Sequence, residues 1–557
     1  METTTTLLKG SLLVALLLVG VILIPVARKT KRGPLPPGPK GWPLVGNVTD
    51  LPQGGVREWE HWLKHKDLYG PISSVTALGT TIILVHSHEL ASELFEKRSA
   101  KYSSRTRLVF GAEMVGWGNL TGLLKYDRHF RAQRKAVHSI MGTPSLSSAY
   151  LPLQEAEVHR FLLRVLEKPE DLVQHIRTEA GAIILKMIYG YSTGPTTSDP
   201  LVKLADKAVE QFSVATMPGL WLVDVIPILR HLPEWMPGTG FKRTAREYRA
   251  KMTEMLEAPW EFAKNRMARG NFEQSYVSDF YRSKGGTLSP KDEYDLKWTA
   301  LSVYGGGADT ASIMVYPKVL MKRLTWNVQT VSTISSFWLA MTLYPDVQRK
   351  AQEEIDRVIG TGRLPSYSDR DNLPYINAIV DEAWRFHPVI PMGVAHACSE
   401  DDVVEFDGKA YFIPKDSVIL ANLWWFTHDP KHYPDPMKFD PERYIAPNKA
   451  PDPREYVFGY GRRVCPGRHF AEFTVWITIA QTLAVFDIGK GRDVDGREIE
   501  NKALFTAGIT THPLEFKVTI KPRSPRHEAL IREVETLHPW EKSDAEEVES
   551  IMARYSS

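Results

Sequence analysis

The sequence predicts a mostly α-helical protein with a small β-sheet region, and three observations carry that reading. Apolar residues recur at helical spacing in Ser147–Leu166, Ala245–Arg269, Pro345–Ile359 and Tyr375–Phe386. Only short stretches read as strand. These are Ile72–Val85, with β-rich arms around Gly79-Thr80; Val403–Leu420, with a turn at Asp407-Gly408; and Leu514–Ile520, which alternates apolar and polar residues. No strand–helix alternation of the doubly wound kind runs through the 557 residues.

The first element is an apolar run. Gly10–Ala27 contains no charged residue, and Leu7 and Leu8 extend it. Residues 7–27 are thus just long enough to span a hydrocarbon core. The run exceeds a usual signal-peptide core, a basic flank follows it, and no small-residue cleavage site precedes that flank. A transmembrane anchor is therefore expected over a cleaved signal. Residues 28–41 form a basic and Pro-rich hinge, in which proline prevents helix and gives a stiff extended spacer. The main body runs over 42–522. Residues 523–557 form a charged tail with a helical pattern and no assigned role.

Charge and cysteine usage exclude several classes. The chain holds 69 Lys+Arg against 66 Asp+Glu. The excess sits in the first 32 residues, at Lys9, Arg28, Lys29, Lys31 and Arg32, so nothing favours nucleic-acid binding by the body. Two cysteines, Cys398 and Cys465, cannot make a disulfide-rich scaffold. Without a C-x-x-C pair, structural zinc and iron–sulfur sites are not expected. Phosphate-loop, dinucleotide, zinc-protease and nucleophile-elbow motifs are absent too.

The most informative stretch is Phe458-Gly459-Tyr460-Gly461-Arg462-Arg463-Val464-Cys465-Pro466-Gly467-Arg468, followed by a helical pattern over Phe470–Leu483. A cysteine just before a helix has its thiolate favoured by the helix dipole and free N–H groups. Glycines let the backbone approach a flat ligand closely. A lone cysteine is by default a small buried hydrophobe. Here the whole string resembles the haem-binding loop of the cytochrome P450 family, Phe-x-x-Gly-x-Arg-x-Cys-x-Gly. Phe458, Gly461, Arg463, Cys465 and Gly467 match every fixed position. The resemblance implies the cytochrome P450 fold and haem b, with Cys465 as the axial thiolate ligand to iron. Phe458 is expected near the sulfur and Arg463 at a haem propionate.

Further motifs fit the resemblance. Glu382 and Arg385 stand three apart on a predicted helix and resemble the family's Glu-x-x-Arg pair. With Arg443 of Pro441-Glu442-Arg443 they imply a structural charge triad. In Tyr126–Lys135, Phe130 and Arg134 are spaced like the family's Trp-x-x-x-Arg. Phe130 replaces the tryptophan, so Arg134 is expected at a propionate while an indole hydrogen bond is not. His396 resembles a further propionate-binding position, and Cys398 is read as a free thiol. Gly305-Gly306-Gly307 stand in a predicted helix starting near Asp292. Glycine there costs about 1 kcal/mol each relative to alanine, so composition alone favours a loop. The resemblance gives the glycines a use, as room for dioxygen and substrate. It makes Asp309 and Thr310 the catalytic acid–alcohol pair, a carboxylate feeding protons to a hydroxyl.

One segment departs from the family pattern. Ala311–Gln329 (ASIMVYPKVLMKRLTWNVQ) interrupts a helix expected to continue, and Pro317 breaks or kinks it. A surface insertion, an alternative isoform and a retained intron are the competing explanations, and the last is favoured because the break splits a helix over the haem.

The leading expectation is a membrane-anchored haem-thiolate monooxygenase that puts one oxygen atom from dioxygen into a lipophilic organic substrate. The closest resemblance is to fungal microsomal members, including those oxidising polyketide-derived precursors such as O-methylsterigmatocystin, which points to secondary metabolism or detoxification. Electrons are expected from NADPH through a separate cytochrome P450 reductase, with cytochrome b5 as a further donor. The expected location is the endoplasmic reticulum membrane, single-pass, with the catalytic domain cytosolic. The alternatives are a haem-thiolate isomerase or dehydratase, and a haem-binding isoform impaired by 311–329. Apolar and aromatic segments near Thr106–Leu124, Phe212–Val223, Val389–Val394 and Phe505–Ile509, with the stretch before Gly305, are expected to shape the substrate site.

Overall fold

A computed structural model describes residues 33–555 apart from 54, 196–198, 218, 308–329 and 448. The expected anchor (7–27), Asp309, Thr310 and the segment 311–329 lie outside the described residues. The longer helices are α1 (Arg128–Met141), α2 (Leu151–Glu167), α3 (Leu172–Tyr189), α4 (Pro200–Thr216), α5 (Phe241–Ala268), α6 (Pro290–Gly307), α7 (Thr330–Leu343), α8 (Pro345–Val358), α9 (Pro374–Phe386), α10 (Arg468–Val485), α11 (Pro525–Arg532) and α12 (Ala545–Met552).

Local chemistry sets their starts. The Asp127 carboxylate accepts from the N–H groups of His129 and Phe130 and caps α1, and Asp199 caps α4 in the same way. Proline stands in the first turn of α4, α8, α9 and α11, where its missing N–H costs nothing. Two helices are buried nearly all round. α3 buries 15 of its 18 residues and α10 buries 14 of 18. Such helices belong inside a protein, and these two are its centre. α3 packs on α2, α6 and α7, while α10 packs on α2, α7 and α9.

The strands are β1 (Ile72–Ala77), β2 (Thr80–Val85), β3 (His396–Ala397), β4 (Asp402–Phe406), β5 (Lys409–Ile413), β6 (Val418–Ala421), β7 (Phe486–Lys490) and β8 (Val518–Pro522). They make one four-stranded sheet, ordered β1-β2-β6-β3, and two two-stranded sheets. Asp407 and Gly408 both take positive φ, +50° and +70°, the turn that joins β4 to β5. That hairpin closes at Ile413. The expected arm to Leu420 is instead β6, which pairs in parallel with β2 (Ile82 beside Val418). The first hairpin turns at Leu78-Gly79, one residue earlier than expected. The last strand starts at Val518, because Leu514 N–H is taken by Leu504 carbonyl at 2.7 Å.

The described part of the hinge is extended, yet it is bonded into the body rather than free of it. Ser74 donates from N–H and Oγ to the carbonyls of Pro37 and Pro36, at 2.8 and 2.6 Å, and Phe412 N–H donates to Pro34 carbonyl at 2.8 Å. The tail is bound too. Ser192 N–H donates to Asp544 at 2.8 Å, Arg266 donates to Asp544 at 2.6 Å, and Lys186 pairs with Glu541 at 2.5 Å. Val548 and Ile551 of α12 are buried in the same core as α4 and α5. Among the described residues no helix is long and apolar enough to cross a membrane.

Candidate functional site

The cysteine loop forms one wall of a cavity of about 380 Å³. Cys465 lies three residues before α10 and is half-buried, and its side chain lines the cavity. Its N–H donates to Phe458 carbonyl at 2.8 Å, which closes the loop on itself. Burial raises the thiol pKa, while the Gly467 N–H and the charges of Arg134 and Arg468 oppose that rise. A metal ion in the cavity would complete the deprotonation. The Phe458 ring meets Trp384 of α9 edge to face, centroids 5.0 Å apart. Gly461 has φ +51°, and a Cβ there would stand 2.3 Å from Phe95 carbonyl oxygen. Only glycine fits.

Beside the cysteine, three guanidinium groups converge. Arg463 donates to the carbonyls of Ser103, Thr121 and Leu124, at 2.7, 3.1 and 2.5 Å. Its cation lies over the Phe130 ring, 3.7 Å from the centroid, so the residue that replaces tryptophan still holds the arginine. Arg134 donates to Val464 carbonyl within the cysteine loop. Arg105 donates to Gly122, Val394 and Ala395 carbonyls at 3.0, 2.7 and 2.8 Å. Arg105 carries no motif; it sits in irregular chain where spacing gives no signal, and only the tertiary approach reveals it. His396 lines the same cavity and shares a hydrogen bond through Nδ1 with Tyr102 carbonyl at 2.7 Å.

The electrostatics are one-sided. Burial, then the neighbouring Arg463, pushes the Arg105 pKa well below its ordinary value. Burial and Arg134 lower Arg463 to about 10. Burial lowers Arg134, and burial with Arg105 holds His396 well below the ordinary histidine range. Among the described residues these arginines bond to carbonyls and form no salt bridge. Buried cations without counter-charges are costly. The donor set therefore fits a ligand that brings two carboxylates, with a metal beside Cys465. Haem b meets both requirements.

Behind the loop, Glu382, Arg385 and Arg443 form a buried ion cluster. Arg385 donates to both Glu382 oxygens at 2.7 Å, and Arg443 Nε lies 3.2 Å from Oε2. Glu382 and Arg385 are fully buried. Arg385 also donates to the carbonyls of Thr427, Pro436 and Lys438. These bonds tie α9 to the segment that leads into the cysteine loop.

The cavity wall is mainly apolar. Val389, Ile390, Met392 and Val394 line it, as expected, with Thr121 and Gly122. Ser302, Val303, Gly306 and Gly307 line it from α6, which is helical through its three glycines despite their cost. Asp309 and Thr310, the next residues but one, lie outside the described residues. The expected aromatics do not line the cavity. Phe110 stacks on Trp221 with centroids 3.5 Å apart, Trp117 meets Phe212 edge to face at 5.2 Å, and Phe505 stacks on His387 at 3.5 Å. Aromatic faces found each other before the cavity.

The cytochrome P450 family model matches residues 36–316 and 328–520. A cytochrome P450 monooxygenase of Gibberella zeae is 45% identical over 541 residues, covering 96% of this chain and 98% of that protein. A multifunctional cytochrome P450 monooxygenase of Aspergillus fumigatus is 41% identical over 525 residues, covering 93% and 94%. The O-methylsterigmatocystin oxidoreductase of Aspergillus flavus is 38% identical over 532 residues, covering 95% of each chain.

Proposed function

Because the chain belongs to the cytochrome P450 family of monooxygenases, we propose that it oxidises a lipophilic small molecule of fungal secondary metabolism with haem b ligated by Cys465. The observation that carries this reading is the half-buried cysteine side chain in a cavity with the buried Arg105 and the partly buried Arg134 and Arg463, none of which forms a salt bridge among the described residues. Bound there, haem supplies dioxygen activation and delivery of one oxygen atom to the substrate. The protein's own residues do the rest. Cys465 is held as thiolate, Arg105, Arg134 and Arg463 neutralise two propionates, and His396 stands beside them in the cavity wall. Asp309 and Thr310 hold and relay protons at their carboxyl and hydroxyl. Glu382, Arg385 and Arg443 keep the loop in place. The apolar wall from Val389 to Val394 excludes water and orients an apolar substrate.

The electrons come from NADPH through a separate reductase, with cytochrome b5 as a second donor. Residues 7–27 anchor the chain once in the endoplasmic reticulum membrane, with the body cytosolic. Protease protection of microsomes tests that arrangement: a body shielded from added protease would overturn it. For the chemistry, reduced protein loaded with haem should show the thiolate-type spectral shift under carbon monoxide. Cys465→Ala should abolish it. Haem binding with no such shift in the native chain would sink the assignment. NADPH consumption with reductase and substrate separates a monooxygenase from an isomerase or dehydratase.

A second reading has its own support. The family match skips residues 317–327, inside the suspected segment 311–329. We read 311–329 as an insertion that impairs activity when translated. Transcript sequencing decides whether working messages carry it.

A further inference from the structure

A buried carboxyl group behind α10 lacks the partners that an anion needs. Glu179 of α3 is fully buried. Its Oε1 is 2.7 Å from the Thr478 hydroxyl of α10, and its Oε2 has no hydrogen-bond partner. Thr478 Oγ1 also lies 2.7 Å from the Thr474 carbonyl. A hydroxyl has one hydrogen and cannot serve both oxygens. Were Glu179 ionised, its buried charge would rest on at most that single shared donor. Arg164 of α2 acts on it electrostatically but gives it no hydrogen bond; both Arg164 Nη atoms lack hydrogen-bond partners, and Nη2 lies 3.9 Å from Glu157 Oε2. A proton on Oε1 resolves the geometry. The carboxyl then donates to Thr478 Oγ1, and Thr478 donates to the Thr474 carbonyl.

The position matters for the site, because the next residue on α3, Ala180, lines the cavity, and so do Phe470 and Thr474 of α10. Gln154 of α2 donates to Phe470 carbonyl at 3.1 Å and to Thr474 Oγ1 at 2.8 Å. Residues 470, 474 and 478 are successive turns of one stripe. α2 and α3 thus brace the helix that begins just after Cys465.

We propose that Glu179 is a positioning residue held as a neutral carboxylic acid, and that its proton fixes α10 behind the cysteine loop and lets go when lost. Burial supports this, since it raises the Glu179 pKa to about 8, against opposing pulls from Thr478 and Arg164. Glu157 of α2 pushes the same way as burial. α7 offers only neutral residues over 330–343. Arg164 is itself covered by the Trp540 ring of the tail, 4.9 Å away, which helps keep the cluster dry.

The test uses the full-length chain. Infrared difference spectra between native protein and Glu179→Gln should show a protonated-carboxyl band at neutral pH that shifts in D₂O. The band should bleach with an alkaline midpoint near 8. Glutamine keeps a donor for Thr478 and should fold. Should it not, Thr478→Val is read instead and should move the same band to higher frequency. As the pH rises from 4.5 to about 8, the melting temperature of the native chain should fall relative to that of Glu179→Gln. In haem-loaded protein the thiolate-type carbon monoxide signal should fall over the same midpoint in the native chain and not in the glutamine variant. No neutral-pH band, or a band unchanged by both substitutions, overturns the proposal. Neither infrared nor melting needs bound haem, so failure here is distinct from failure of the haem assignment.

Discussion

At the scale of single residues, the loop around Cys465 is a set of places where one atom more or fewer decides the outcome. Gly461→Ala puts a methyl 2.3 Å from Phe95 carbonyl oxygen at positive φ. Backbone strain alone costs about 1–3 kcal/mol, and the collision adds to it. The expected result is a lower melting temperature and weaker haem retention, read by calorimetry and by haem titration. Glu382→Gln leaves the guanidiniums of Arg385 and Arg443 buried without a counter-charge. Breaking a buried pair this way costs about 3–5 kcal/mol, and denaturant midpoints should fall accordingly. An unchanged midpoint would mean that water reaches the cluster. What was legible here was a matter of spacing. Cys465, Arg463 and Gly461 belong to one string, and Glu382 and Arg385 to one helical turn. Arg105 was illegible, because it reaches the cavity through three distant carbonyls and no pattern in sequence marks it.

At the scale of elements, amphipathic periodicity located the helices well and long-range pairing poorly. α8 and α9 end within a residue of their expected limits, because proline starts both. β6 was misassigned for a physical reason. Its partner β2 lies more than three hundred residues earlier, so no local turn signal marks the pairing. The aromatics expected around the substrate were misassigned because aromatic side chains are equally suited to core and cavity, and here they stack on each other. One prediction belongs to this scale. Deleting 311–329 should let α6, which reaches Gly307, run on into α7, and raise monooxygenase turnover with reductase relative to the full chain. Equal turnover in the two proteins would show that the segment does no harm.

At the scale of the whole molecule, buried histidines set the acid limit. Burial lowers His86 and His512 to about 3 and holds His387 and His428 well below the usual range. They are neutral in the folded protein and take up protons when it unfolds. Their contribution is complete above pH 6.5, and it is lost as the pH falls from 6.5 toward about 3. Melting temperature should therefore drop steadily below pH 6.5, and replacing His512 with glutamine should lessen the slope. The tail is also a whole-molecule feature. Its charges suggest a solvated end, yet they pair with α3 and α5, and Val548 and Ile551 are buried. Burial of those two side chains alone is worth about 3 kcal/mol or more. Truncation after Leu537 should lower the melting temperature by several degrees; an unchanged value would make the tail dispensable.

The tail's binding also sets an order of events during synthesis. Arg160 donates to Pro539 carbonyl across 379 residues of chain, and Arg266 reaches Glu547 across 281. At about 5–20 residues per second, the ribosome makes the tail roughly 15–75 s after the helices it covers. Throughout that interval the faces of α2, α4 and α5 that α12 and Trp540 later cover stand exposed. Until the tail arrives those faces are open to chaperones, and the core is covered fully only once the tail has been made.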